Sequence, residues 1–283
     1  MFKITTQEAL GISAYCNNRV VRWRRGDEMK QVQTRETLKS GLRELGLEEG
    51  DTVWVHSSFK SLGSVEGGAG TVVAAFEDIV GASGLIAMPS FNLVNWEDRT
   101  KTWDVGATRS TAGWITEFFR KMPGTHRSDH YSHSVAARGE QAEQLVSGHL
   151  LREGLRSRWD RGRWGYAFGT NSPMWRLYQR EAKVIMLGVD YESSTYTHIA
   201  ECLYRARHLD SNGKQGDHPF TNLTRVGEFW EEVGAINYAK VGDATTRLFS
   251  AARYVDTMLG QFESDIDAVD VRYLPPPEGL LGA

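Results

Sequence analysis

Leu38, Leu42 and Leu45 recur at helical spacing within "TRETLKSGLRELGLEEGD" (Thr34 to Asp51), and Gly46 supplies a stop, which predicts an amphipathic helix. The apolar run "TVWVHSS" follows as a strand, and "TVVAAFEDIVG" as a helix ending at Gly81. "GLIAMPSF" reads as a short strand buried on both faces. "TAGWITEFFRKM" is a helix, "HSVAARG" a strand and "EQAEQLV" a short helix. "AKVIMLGVD" (Ala182 to Asp190) is the clearest buried strand, and "STYTHIAECLYRAR" (Ser194 to Arg207) the helix behind it. "INYAKVGDATTRLFSAARYVDTML" reads as strand, turn, strand and helix. Strands alternating with helices predict an α/β class: one domain, 34–270, with a central sheet flanked by helices. Residues 1–33 form an N-terminal extension of poor periodicity. Residues from about 208 to 249 read as loop and strand, a flap or subdomain, and 271–283 as an irregular tail.

Composition narrows the class. The 283 residues are 40% hydrophobic, enough for a substantial core, and the net charge of −3 argues against a nucleic-acid binder. Cys16 and Cys202 are too few for a disulfide framework or a zinc site. No apolar run matches a membrane span or a secretory signal, so the expected setting is reducing and cytoplasmic.

Three stretches carry candidate chemistry. In "VWVHSSFKSLGSVEGGAGTVVAAF" (Val53 to Phe76) a strand delivers hydroxyls and amides to its carboxyl end, where α/β folds bind ligands. Gly63, Gly67, Gly68 and Gly70 permit close backbone approach, and the following helix aims free N–H groups at an anion. The loop is neither a Walker A motif nor a dinucleotide fingerprint, and glycine content alone favours a plain tight strand-to-helix turn. On the 194–207 helix, Tyr196, Ile199, Leu203 and Ala206 form the core stripe, and His198, Glu201 and Arg205 a stripe roughly opposite. His198 and Glu201, at i and i+3, can touch; with Ser194 or Thr195 as cap, His198 sits in the first turn. A neutral imidazole oriented by a carboxylate is what a general base requires, and a solvated face with an incidental pair is the alternative. Cys202, with His198 as its base, stays open as a nucleophile. His126, Asp129, His130 and His133 cluster in "HRSDHYSHSVAARG", a polar loop or a metal site without standard spacing.

The run "VHSSFKSLGSVEGGAGTVVAAF…GLIAMPSF" resembles the aminoglycoside 3-N-acetyltransferases, a family outside the GNAT fold. "RSDHYSHSVAARGEQAEQL", "FGTNSPMWRLYQREAKVIMLGVDYESSTYTHIAE" and "AKVGDATTRLFSAARYVD" resemble its later blocks in order and spacing, covering about Glu36 to Asp256. The resemblance implies that family's fold and acetyl transfer from acetyl-CoA to an amine of an aminoglycoside. It assigns CoA contacts to Ser57, Ser58, Ser61, Leu62 and Gly63, with Ser110 and Thr111 nearby; the basic Lys60 within the same loop is the expected phosphate contact. It places the base on His198 with Glu201 as acidic partner, and no metal; in the direct transfer expected from this, backbone amides near the loop stabilise the oxyanion. His130, Asp190, Glu192 and Tyr196 are the expected acceptor contacts, with 208–238 as the acceptor-side flap. The family's His-Pro is His130-Tyr131 here, and its Asn-Thr-Ser is Ser194-Thr195-Tyr196. An amino sugar or another amine as acceptor, and a non-catalytic CoA-binding relative, are the alternatives; no nucleic acid or membrane partner is expected, and a homodimer stays open.

Overall fold

The computed structural model describes residues 31–94, 98–208 and 219–269, with the backbone of two short strands upstream. The chain divides into two units, 1–31 and 32–283. In the first, β1 (Tyr15–Cys16) pairs antiparallel with β2 (Arg19–Val20). The expectations for the tail 271–283 and most of the extension 1–33 fall outside the described residues.

The second unit opens with α1 (Arg35–Leu45). Thr34 caps it reciprocally with Thr37: each side chain accepts the other's backbone N–H. Gly46 at φ 101° closes it in the left-handed region that glycine adopts without strain. Next come β3 (Thr52–Ser57), α2 (Ala69–Val80), β4 (Leu85–Pro89), α3 (Arg99–Thr102), α4 (Trp114–Phe119), β5 (His126–Arg127), β6 (Val135–Gly139) and α5 (Ala142–Val146). The remainder is α6 (Pro173–Gln179), β7 (Lys183–Leu187), α7 (Thr197–Arg207), α8 (Leu223–Val233), β8 (Asn237–Val241), β9 (Ala244–Ser250) and α9 (Ala251–Asp265).

The seven-stranded sheet has the order β5-β6-β4-β3-β7-β9-β8. Its centre, β4-β3-β7, is parallel, and antiparallel strands extend both edges. Alternation along each strand feeds two cores. Trp54, Ala87, Val184, Met186 and Phe249 face the layer of α5, α6, α7, α8 and α9. Val53, Val55, Ile86, Met88, Ile185 and Leu187 face α1, α2 and α4. The result is a single α/β domain of three layers, as the alternation predicts.

The 208–238 stretch departs from the expected loop and strand. Its described part contains α8, capped by Asn222, whose side chain accepts the Arg225 N–H at 3.2 Å. Val226 and Trp230, at i and i+4, are buried. Gly227 argues against a helix by propensity, yet packing requires it: a Cβ there would lie 2.5 Å from the Tyr191 ring.

Candidate active site

The carboxyl ends of β3 and β4 and the start of α7 surround a cavity of about 380 Å³. His56, Arg99, Thr111, Ser132, His133, Trp159, Glu192, Thr195 and His198 are among its lining. The cavity thus lies at the strand ends where parallel sheets take ligands.

β7 ends at Leu187, Gly188 turns the chain at φ 64°, and α7 begins nine residues later, by numbering, at Thr197. The buried Thr197 hydroxyl lies 2.7 Å from the Tyr254 hydroxyl of α9, which ties down the first turn. On that turn His198 Nδ1 lies 2.8 Å from Glu201 Oε2. Glu201 is fully buried, and its Oε1 accepts from the Thr221 hydroxyl at 2.6 Å. A buried carboxylate is most stable with a proton donor at each oxygen, so Nδ1 of His198 carries the proton. Nε2 is left with its lone pair, the form a general base needs, on a residue that lines the cavity. The Trp159 ring, 4.5 Å from the His198 ring between centroids, fixes the imidazole plane. Trp159 is itself held by a turn in which Asp160 accepts from the Ser157 N–H, the Ser157 hydroxyl and the Ala167 N–H.

The expected stripes of α7 are corrected by this packing. Tyr196 and Ile199 are buried, but Leu203 and Ala206 only half so, and Glu201 points inward with its charge met by Thr221 and His198. Neither Ser194 nor Thr195 caps the helix, since Tyr196 occupies the cap position; the Thr195 hydroxyl lies 3.5 Å from His56 Nε2. Cys202 is buried in the core and absent from the lining, and burial pushes its thiol pKa well up, which removes it as a nucleophile.

Of the expected acceptor contacts, only Glu192 lines the cavity. Tyr196 is fully buried edge-on against Trp54, so it belongs to the core and not to the acceptor wall. His130 is fully buried, stacks on His149 at 4.5 Å and is absent from the lining, because its Nδ1 accepts the Ser132 and His133 N–H groups of its own turn. Asp190 is exposed, and its carboxylate accepts the Glu192 N–H at 3.2 Å, an ordinary turn cap. Among the described residues no group of three or more His, Cys, Asp or Glu is placed to hold a metal ion.

The expected CoA residues divide similarly. Ser57 ends β3, and its buried hydroxyl has no partner among the described residues. Ser58 N–H donates to Leu187 O at 2.9 Å, and the Ser61 hydroxyl to Ser58 O at 2.7 Å, so the loop is knitted to the end of β7. Lys60 is exposed; Gly63 sits at φ 81° beside Asp243. The Leu62 side chain is fully buried in the α1/α2 core, so only its backbone is open to a ligand role. Ser110 is committed inside the protein: its N–H donates to Glu117 at 2.8 Å and its hydroxyl meets Thr116. Burial opposes the Glu117 charge, but Arg120, Lys121 and the Ser110 amide outweigh it and hold the carboxyl at about 2. Thr111 lines the cavity. The sequence reading did not single out His56, Arg99, Trp159 or Thr221, and took His133 only as part of a loop cluster. The period-2 pattern of β3, which sets His56 on the Trp54 face, is the one signal that points to His56.

Known proteins share this architecture. The family described as aminoglycoside 3-N-acetyltransferase matches residues 54–263. The SPbeta prophage-derived aminoglycoside N(3')-acetyltransferase-like protein YokD of Bacillus subtilis (strain 168) is 32% identical over 258 residues, 79% of this chain and 90% of YokD. The apoenzyme structure of aminoglycoside acetyltransferase AAC(3)-IVa superposes with a TM-score of 0.69 at 25% identity, covering 89% of this chain and 95% of that one. AAC-IIIb, solved as a binary with CoASH, shares the fold at a TM-score of 0.67 and 22% identity, covering 83% of this chain and 97% of its own. The fold and the matching family are those of acyltransferases. The chain belongs to the aminoglycoside 3-N-acetyltransferase family.

Proposed function

We propose that the protein transfers the acetyl group of acetyl-CoA directly to a primary amine of an aminoglycoside, with His198 as general base. The observation that carries this reading is the His198–Glu201 pair: a buried carboxylate on Nδ1 of a histidine that lines the cavity. His198 Nε2 takes a proton from the amine as its nitrogen attacks the thioester carbon. Glu201 stabilises the imidazolium that forms, the C–S bond breaks, and CoA leaves as the thiol. No covalent enzyme intermediate is needed, and the burial of Cys202 fits that. Acetyl-CoA lies along the loop 57–63, where the Ser57 hydroxyl, without a partner among the described residues, and the amides before α2 offer donors.

One observation favours a second reading of the acceptor. A polycationic aminoglycoside is best held by several carboxylates. Among the described lining residues Glu192 is the carboxylate, while Arg99, 4% exposed, brings a cation to the same wall. An amino sugar or another amine of lower charge suits such a wall better. Thiol release from acetyl-CoA against a panel of gentamicin-type and kanamycin-type amines, aminohexoses and simple amines decides between them. Turnover of aminoglycosides supports the first reading, and turnover of aminohexoses alone supports the second. Tight CoA binding without turnover of any amine overturns both.

A further inference from the structure

Two cavity imidazoles beyond His198 have no part in that reaction, His56 and His133, and their partners reveal their tautomers. The Trp54 indole N–H donates to His56 Nε2 at 2.7 Å, so the His56 proton sits on Nδ1. His133 is fixed through its neighbour. His130 Nδ1 accepts two backbone N–H groups, from Ser132 at 3.3 Å and from His133 at 3.2 Å. That lone pair is already shared, so the Ser132 hydroxyl, 3.3 Å from it, turns its proton to His133 Nδ1 at 2.8 Å. His133 Nδ1 is therefore an acceptor, and Nε2 carries the hydrogen.

Burial, and after it the neighbouring His198, hold the His133 pKa well below its ordinary value, so the ring is a neutral donor. Trp159 at 4.6 Å and Phe168 at 4.8 Å clamp it. Nε2 meets no hydrogen-bond partner among the described residues and is not sealed from the cavity that His133 lines. The His133 and His198 rings stand 6.2 Å apart at 83°. Both rings line the one cavity, so a thioester bound there beside an amine at His198 also faces His133.

We propose that the His133 Nε2–H group donates a hydrogen bond to the thioester oxygen of acetyl-CoA and stabilises the oxyanion of the tetrahedral intermediate. The assignment rests on the acetyl-transfer reading above. The amine lone pair forms the N–C bond and the carbonyl π pair moves onto the oxygen that His133 holds. On collapse the pair returns, the C–S bond breaks, and the thiolate takes the proton from the His198 imidazolium. Such a neutral donor, fixed before substrate arrives, costs no reorganisation during the reaction.

The test joins kinetics to the infrared carbonyl stretch of bound, isotope-labelled acetyl-CoA, measured without amine. In the parent protein the stretch lies below that of free acetyl-CoA, and His133→Phe, which keeps an aromatic ring in the clamp, returns it to the free value. The same variant lowers kcat about 10²–10³-fold, the usual loss for one oxyanion donor, with both KM values within about threefold. His133→Asn, which retains an N–H donor, recovers part of both signals. A carbonyl stretch unshifted in the parent, or kcat of His133→Phe within about threefold of the parent, overturns the assignment. Should the Phe variant fail to fold, the parent frequency and the Asn variant still decide. A shifted carbonyl in a parent that acetylates no amine supports the donor and sinks the acetyl-transfer reading, so the two failures are distinct.

Discussion

His56, His130, His133 and His149 are buried and kept neutral, chiefly by desolvation; for His56 and His149 the pKa falls to about 3. Unfolded histidine titrates near 6.5. Below that pH the unfolded chain binds protons that the folded chain refuses, so this stability is complete above about 6.5 and is lost as pH falls toward 3. Each such histidine steepens the loss by about 1.4 kcal/mol per pH unit at most. The thermal unfolding midpoint should therefore drop continuously from pH 6.5 to pH 5, before most carboxylates titrate. A midpoint that stays flat across that range would show these rings to be solvated. Sequence spacing was enough to pair His198 with Glu201, because i and i+3 on a helix meet wherever the helix is placed. It could not supply Thr221, which reaches Glu201 from 20 positions away, nor the tautomer of His133, which depends on a turn folded back on itself.

Among the elements, β3 and the loop after it carry the most consequence. Period-2 alternation sends His56 to the cavity face and its neighbours Val55 and Ser57 the other way, so one strand serves both sides of the sheet. The loop is braced by β7: Gly188 stands so close that a Cβ there would lie 1.8 Å from the Ser61 hydroxyl and 3.0 Å from the Ala244 Cβ. Gly188→Ala therefore strains a positive φ and pushes Ser61 out of place together. We expect a loss of more than about 1 kcal/mol in urea unfolding and a weaker Kd for acetyl-CoA by calorimetry. If Gly188→Ala left acetyl-CoA affinity unchanged, the loop 57–63 would not be its seat. The boundaries of α1, α2 and β7 were legible because glycines and apolar period agree there. The helix α8 was not, because Gly227 and the polar stretch before it mask a pattern that only Tyr191 and the core explain.

In the whole molecule the sheet separates two tasks. The layer of α7 and α9 positions His198, the proposed base, and the layer of α1 and α2 carries the loop proposed for CoA, with both meeting at the carboxyl edge of the parallel strands. The α/β class follows from the alternation of elements, whereas the strand order does not: nothing local in "HSVAARG" says that β6 runs antiparallel beside β4. No described helix is long and apolar enough to cross a membrane. The central claim, that His198 is the base of a direct transfer, is tested most directly by His198→Gln. Steady-state thiol release and acetyl-CoA binding by calorimetry are measured side by side on the same preparation. The account predicts a kcat lower by about 10²–10⁴-fold with acetyl-CoA affinity unchanged. A variant that keeps nearly the parent kcat would contradict it.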